Sequence, residues 1–153
     1  MQREITQAGP LLNECGSLTQ VGWSRVPRLD CNLERASFYS PPFQVLQFLR
    51  LKRWDYYAVF TPRRFFSATI ADLGYAGNIF VYTLDFTTNQ LREETLSIPL
   101  SQGITLPRNS TEGDTHFEDT RARLSFSTKP DCRALVVDWK AFDSGKGIHA
   151  EIV

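Results

Sequence analysis

From Trp54 onward, apolar positions recur at every second residue, the periodicity of half-buried strands. Over residues 54–60, Trp54, Tyr56, Ala58 and Phe60 face one way and Asp55, Tyr57 and Val59 the other. Residues 65–73 form a second β-branched and aromatic run that reaches Asp72 just before Gly74. In residues 79–86, Phe80, Tyr82, Leu84 and Phe86 oppose Ile79, Val81, Thr83 and Asp85, so both faces accept apolar groups and only one carries a charge. Thr61-Pro-Arg-Arg64 and Gly74-Tyr-Ala-Gly-Asn78 separate the runs, and their Pro and Gly supply turn angles. Connections this short join antiparallel neighbours. The spacing therefore predicts a three-stranded meander over residues 54–86.

Beyond it, residues 87–90 form the next turn, and Leu96, Ile98 and Leu100 alternate around Pro99, which demotes that run to an edge or a bulge. Residues 102–119 are polar, with Gly103, Pro107 and Gly113, and read as a long loop. Alternation resumes at Ala122-Leu124-Phe126 and Leu135-Val137-Trp139, divided by Lys129-Pro-Asp131. Residues 147–153 alternate and then stop, which reads as a truncated, front part of a longer protein. Residues 1–40 form an irregular lead-in with one hairpin around Gly16, and residues 41–153 an antiparallel β domain. Residues 43–51 suit a helix as well as a strand, and no internal repeat is visible.

Composition narrows the class. The 153 residues are enough for one domain with its own core, and 42% hydrophobic content excludes a disordered tail. No apolar run approaches the roughly 20 residues of a membrane helix, and the opening Met1-Gln-Arg-Glu-Ile has no signal-peptide core. Lys+Arg and Asp+Glu are both 17, which disfavours nucleic acid because neutralising phosphates requires surplus cations. Cys15, Cys31 and Cys132 contain no C-x-x-C pair and leave one thiol over, which points to a reducing, cytoplasmic setting.

No catalytic signature appears: there is no phosphate-binding Gly loop, no G-x-S-x-G and no H-E-x-x-H. His116 and His149 have no second ligand at zinc spacing, so no metal and no cofactor is expected. The sequon Asn109-Ser-Thr111 reads as a polar loop. The unusual residues are Asp55 and Asp72, acids set in aromatic and aliphatic strands, where charges rarely go unpaired. A structural reading pairs Asp55 with Lys52 or Arg53 and has Asp72 accept N–H bonds in the Gly74 turn, the two acids lying near opposite strand ends. A functional reading makes Asp55 or Asp72 a catalytic acid in an apolar cavity walled by Trp54, Tyr57, Tyr75 and Tyr82, where desolvation keeps a proton available. Trp23 is expected to cap an open barrel end and Arg25 to meet an acid.

Gly9-Pro-Leu-Leu12, Gly22-Trp-Ser-Arg-Val-Pro27, Lys52-Arg-Trp-Asp-Tyr-Tyr57 and Thr69-Ile-Ala-Asp-Leu-Gly-Tyr-Ala-Gly77, in that order, resemble the amino-terminal half of the domain of unknown function 2804 family. Members of that family are usually longer. The resemblance implies a fold related to lipocalin-like β-barrel proteins, among them carotenoid hydratases, tocopherol cyclases and fungal pericyclases, which handle greasy substrates and often pack two barrels together. None of their catalytic residues maps onto a position here. The combined expectation is an all-β, antiparallel, lipocalin-like (calycin-like) β-barrel or half-barrel with a second β domain as its neighbour in the full-length chain. It would bind a hydrophobic small molecule such as a lipid or isoprenoid. The alternatives are a cofactor-independent enzyme for acid-assisted hydration, isomerisation or cyclisation, and a structural or interaction domain.

Overall fold

A computed structural model describes residues 3–109 and 111–153. Ser110 of the Asn109-Ser-Thr111 sequon and the Met1-Gln2 start lie outside the described residues. The chain divides into two compact units, Met1–Leu51 with Pro107–Gly113, and Lys52–Leu106 with Asp114–Val153. The later stretch Pro107–Gly113 returns to the first unit.

The first unit is built from short pieces. Strands β1 (Gly9–Pro10) and β2 (Leu29–Asp30) pair in parallel. The hairpin around Gly16 is present as a single antiparallel bridge between Leu12 and Leu18, with the Asn13 side chain accepting the N–H groups of Cys15 and Ser17. Buried Asn32 ties the region together, accepting the Leu12 N–H at 2.9 Å and donating to the Leu12 carbonyl at 2.7 Å. Arg108 reaches Asp30 at 3.0 Å and Glu34 at 2.9 Å. Gly22 is required by close approach, since a Cβ there would sit 2.0 Å from the Arg3 carbonyl oxygen that Trp23 N–H bonds. Arg25 meets its acid, Glu4, at 3.0 Å, and its guanidinium covers the half-exposed Trp23 ring. The ambiguous segment is a 3₁₀ helix, Phe43–Leu49.

The second unit holds two antiparallel sheets. The first is a four-stranded meander in sequence order: β3 (Arg53–Phe60), β4 (Arg64–Asp72), β5 (Ala76–Asp85) and β6 (Gln90–Pro99). The predicted three-stranded meander is its first part, and β6 is the edge that Pro99 implied. The second sheet has the order β11-β10-β9-β8-β7, from β7 (Ile104–Thr105), β8 (Thr115–Glu118), β9 (Ala122–Thr128), β10 (Arg133–Trp139) and β11 (Ile148–Ile152). Strands β7 and β8 correct the expected continuous loop over residues 102–119. Thr115 and Phe117 alternate inward, but a four-residue strand next to Gly113 carries too little pattern to stand out. A short turn, α1 (Phe142–Gly145), leads into β11 and buries Phe142.

The sheets pack face to face. Ala68 and Ile70 of β4 and Ile79 and Val81 of β5 meet Phe117, Leu124, Phe126 and Val137 of the second sheet, all at 1% exposure or less. Burying one such aliphatic or aromatic side chain is worth about 1.5–3 kcal/mol, so this cluster is the main source of cohesion. Tyr57 lies edge-on to Phe126 with ring centroids 5.1 Å apart. The turn from Ser101 to Ile104 closes onto β5 at Gly77, where a Cβ would lie 2.3 Å from Ile104 Cδ1 and 3.1 Å from Ser101 Cα. The fold is all-β. No hydrogen-bonded ladder joins the two sheets among the described residues, so they form two stacked layers and not a closed barrel.

Candidate ligand-binding face

Strand register decides which candidate residues can meet. Arg53 is opposite Asp72, Asp55 opposite Ile70, and Tyr57 opposite Ala68, so these residues share the face of the meander that covers the core. Asp55 and Asp72 therefore lie near the same end of the sheet, two positions apart in register. This corrects the expectation of opposite ends: β3 and β4 are joined by a tight turn, which sets the third residue of one strand beside the end of the other.

The partners also differ in part. Asp55 accepts a 2.6 Å hydrogen bond from the Thr115 hydroxyl of the facing sheet. Arg53 donates instead to Asp72 at 3.0 Å. Asp72 also accepts the Gly74 N–H at 2.8 Å and the Ser101 hydroxyl at 2.7 Å, and so clamps two turns at once. Partial burial works to raise its pKa, but the bonds from Ser101, Gly74 and Arg53 outweigh it and hold the carboxyl below its ordinary value. A carboxylate held this way accepts hydrogen bonds and has no proton to donate. Lys52 donates to the Leu73 carbonyl and sits 4.3 Å from the centroid of the exposed Tyr75 ring. Burial and the Asp55 charge push the Tyr57 hydroxyl above its ordinary value, against the pull of Arg133.

The four proposed wall residues separate. Tyr57 points to the core, Tyr75 stands on the β4–β5 turn, and Trp54 and Tyr82 lie on the opposite, outward face of the meander. That outward face is unusual. Across the register, Trp54 aligns with Ala71 and Asn78, Tyr56 with Thr69 and Phe80, Ala58 with Ser67 and Tyr82, and Phe60 with Phe65 and Leu84. Large rings on β3 and β5 thus flank small residues on β4, and the trough between them is closed over by the rings, with Ser67, Thr69 and Ala71 all buried along its floor. Its closed end is aromatic: Phe60 and Phe65 have ring centroids 4.5 Å apart, and Phe65 stacks on Tyr82 at 5.3 Å. Trp54 is 66% and Phe60 70% exposed.

The floor is polar. Ser67 and Thr69 are 0% and 3% exposed, yet neither Ser67 Oγ nor Thr69 Oγ1 has a hydrogen-bond partner. Such orphaned hydroxyls each cost about 1–3 kcal/mol. Above them the Tyr56 and Tyr82 hydroxyls approach to 3.4 Å diagonally across β4. Tyr82 and burial raise the Tyr56 pKa, while Ser67 pulls it down from nearby without reaching hydrogen-bonding geometry. Sequence reasoning missed Tyr56, Phe60, Phe80, Ser67 and Thr69 as one site. The signal was there in phase: Ser67, Thr69 and Ala71 alternate in step with the rings on both sides.

Elsewhere, a shallow recess of about 340 Å³ lies beside His149 and Asp138, whose side chains meet at 2.5 Å. It belongs to the charged outer face of the second sheet, where His149, Asp138, Arg123 and Glu118 align in one row. No cluster of three metal-ligating side chains occurs among the described residues, and no described helix is long and apolar enough to cross a membrane. No curated protein and no solved structure matches the chain. A domain of unknown function, DUF2804, matches residues 2–153. With the match running through the Gly22, Asp72 and Gly77 positions whose geometry is described above, the chain belongs to the DUF2804 family.

Proposed function

We propose that this chain is a lipocalin-like, half-barrel-type β domain that binds a hydrophobic small molecule on the outward face of its four-stranded meander. The observation that supports the reading is the aromatic trough, with exposed Trp54, Tyr56 and Phe60 on one bank and half-buried Phe80 and Tyr82 on the other. Aromatic residues on a solvated sheet face forgo burial, so their clustering around a small-residue floor marks a surface kept for an occupant. With the Tyr56 ring swung outward, the strip of small residues on β4 gives a flat molecule a place to lie, and the rings give it edges to pack against. Binding is preferred to acid catalysis because Asp72 is held as an acceptor on the other face of the sheet. A reducing, cytoplasmic setting and a second β domain in the full-length protein belong to the same proposal.

Naphthalene tests it. A ligand of this size covering one face should bind at about −4 to −5.5 kcal/mol, a dissociation constant of about 0.1 to 1 mM. Trp54→Ser with Phe60→Ser removes two exposed rings and should weaken binding at least tenfold, while Phe43→Ser in the first unit leaves it unchanged. Equal weakening by all three, or by none, would count against the trough.

A further inference from the structure

We propose that the occupant of the trough is a flat, ring-containing molecule that bears a hydroxyl or carbonyl oxygen, and that Thr69 and Ser67 read this oxygen. This deepens the binding reading above and rests on it. A purely hydrocarbon ligand would need only an apolar floor, and Val at 69 or Ala at 67 would supply one with full β propensity at the first position. The chain instead places two hydroxyls, two residues apart on the same face of β4, under aromatic cover with no partner. Side chains at i and i+2 on a strand stand about 7 Å apart, a span that one fused two-ring molecule covers. A ligand oxygen lowered between the rings can donate to or accept from either hydroxyl.

Access requires one local change. The Tyr56 and Tyr82 hydroxyls meet above the floor at 3.4 Å, a long and weak contact. Tyr56 is on edge strand β3 and is 44% exposed, so its ring can swing outward without disturbing the core face. The two phenols then border the ligand's polar end and offer it a further hydrogen bond.

The test compares 2-naphthol with naphthalene, two probes of the same shape that differ by one hydroxyl. On the native protein 2-naphthol should bind about tenfold more tightly. In the Ser67→Ala, Thr69→Val protein this preference, read as the ratio of the two affinities, should fall below twofold. Should that variant fail to fold, a second readout on the native protein serves: nuclear Overhauser contacts between the naphthol ring protons and the Thr69 methyl group are expected. Equal affinity for the two probes on the native protein, a preference that survives the double substitution, or an absence of Thr69 contacts would each overturn the inference while leaving the binding site intact. Failure of both probes to bind would instead overturn the binding reading itself.

Discussion

Replacing Asp72 with Asn changes one atom and tests the clamp directly. The carboxylate holds three groups: Gly74 N–H and Ser101 O–H on one oxygen at 2.8 and 2.7 Å, and Arg53 on the other at 3.0 Å. With Asn, the carbonyl oxygen keeps the first two as neutral bonds, roughly half as strong as charge-assisted ones. The amide nitrogen then faces Arg53, donor against donor. Arg53 is 45% exposed in its side chain, so solvent screening limits that loss to about 1 kcal/mol or less. Weakening the two turn bonds adds about 1–2 kcal/mol. The total, about 1–3 kcal/mol, should lower the urea midpoint at pH 7 by about 1 M for an m-value of about 1–3 kcal/mol/M. Because the folded-state pKa is depressed, the contribution is complete above the ordinary carboxylate value of 3.8 and is lost as pH falls through the lower folded value. The gap between native and variant proteins should therefore close in strong acid. A variant midpoint equal to or above that of the native protein at pH 7 would refute the clamp and return Asp72 to the role of a cavity acid.

Gly77→Ala should cost about 1–3 kcal/mol, since the added methyl lands 2.3 Å from Ile104 Cδ1 and 3.1 Å from the Ser101 backbone; denaturant titration reads this, and a neutral result would mean that the turn does not close on β5. His149 is pulled above its ordinary value of 6.5 by its hydrogen bond with Asp138 and by the Asp138 charge. Its contribution is thus complete below 6.5 and lost as pH rises through the raised value. His149→Gln should then be less stable than the native protein at pH 5.5 and equal to it at pH 9, measured by thermal melts; the opposite pH order would exclude the pair.

Much of the second unit was legible because strand alternation is a direct image of a two-faced sheet. Residues 54–86 gave the meander, and Pro99 marked its edge, because a residue without an N–H cannot sit in a central ladder. The tie of Asp72 to Gly74 was legible for a similarly local reason, a carboxylate two residues before a turn amide. Non-local facts were not. Nothing near Asp55 in sequence indicates Thr115, 60 positions away on the facing sheet. The same holds for β8, whose short run has meaning only beside β9. In the candidate site, that Trp54 and Tyr82 share a face through β4 is a non-local fact, whereas the position of Tyr57 on the other side of its own strand follows from alternation alone.

The central claim is that ligand occupies the outward face of the meander. The most direct measurement is the mapping of amide and side-chain shifts across the ¹⁵N-labelled protein during titration with naphthalene. Shifts should concentrate at Trp54, Tyr56, Thr69, Phe80 and Tyr82. Shifts centred instead on Leu124, Phe126 and Val137 between the sheets, or on the 3₁₀ segment from Phe43 to Leu49, would contradict it.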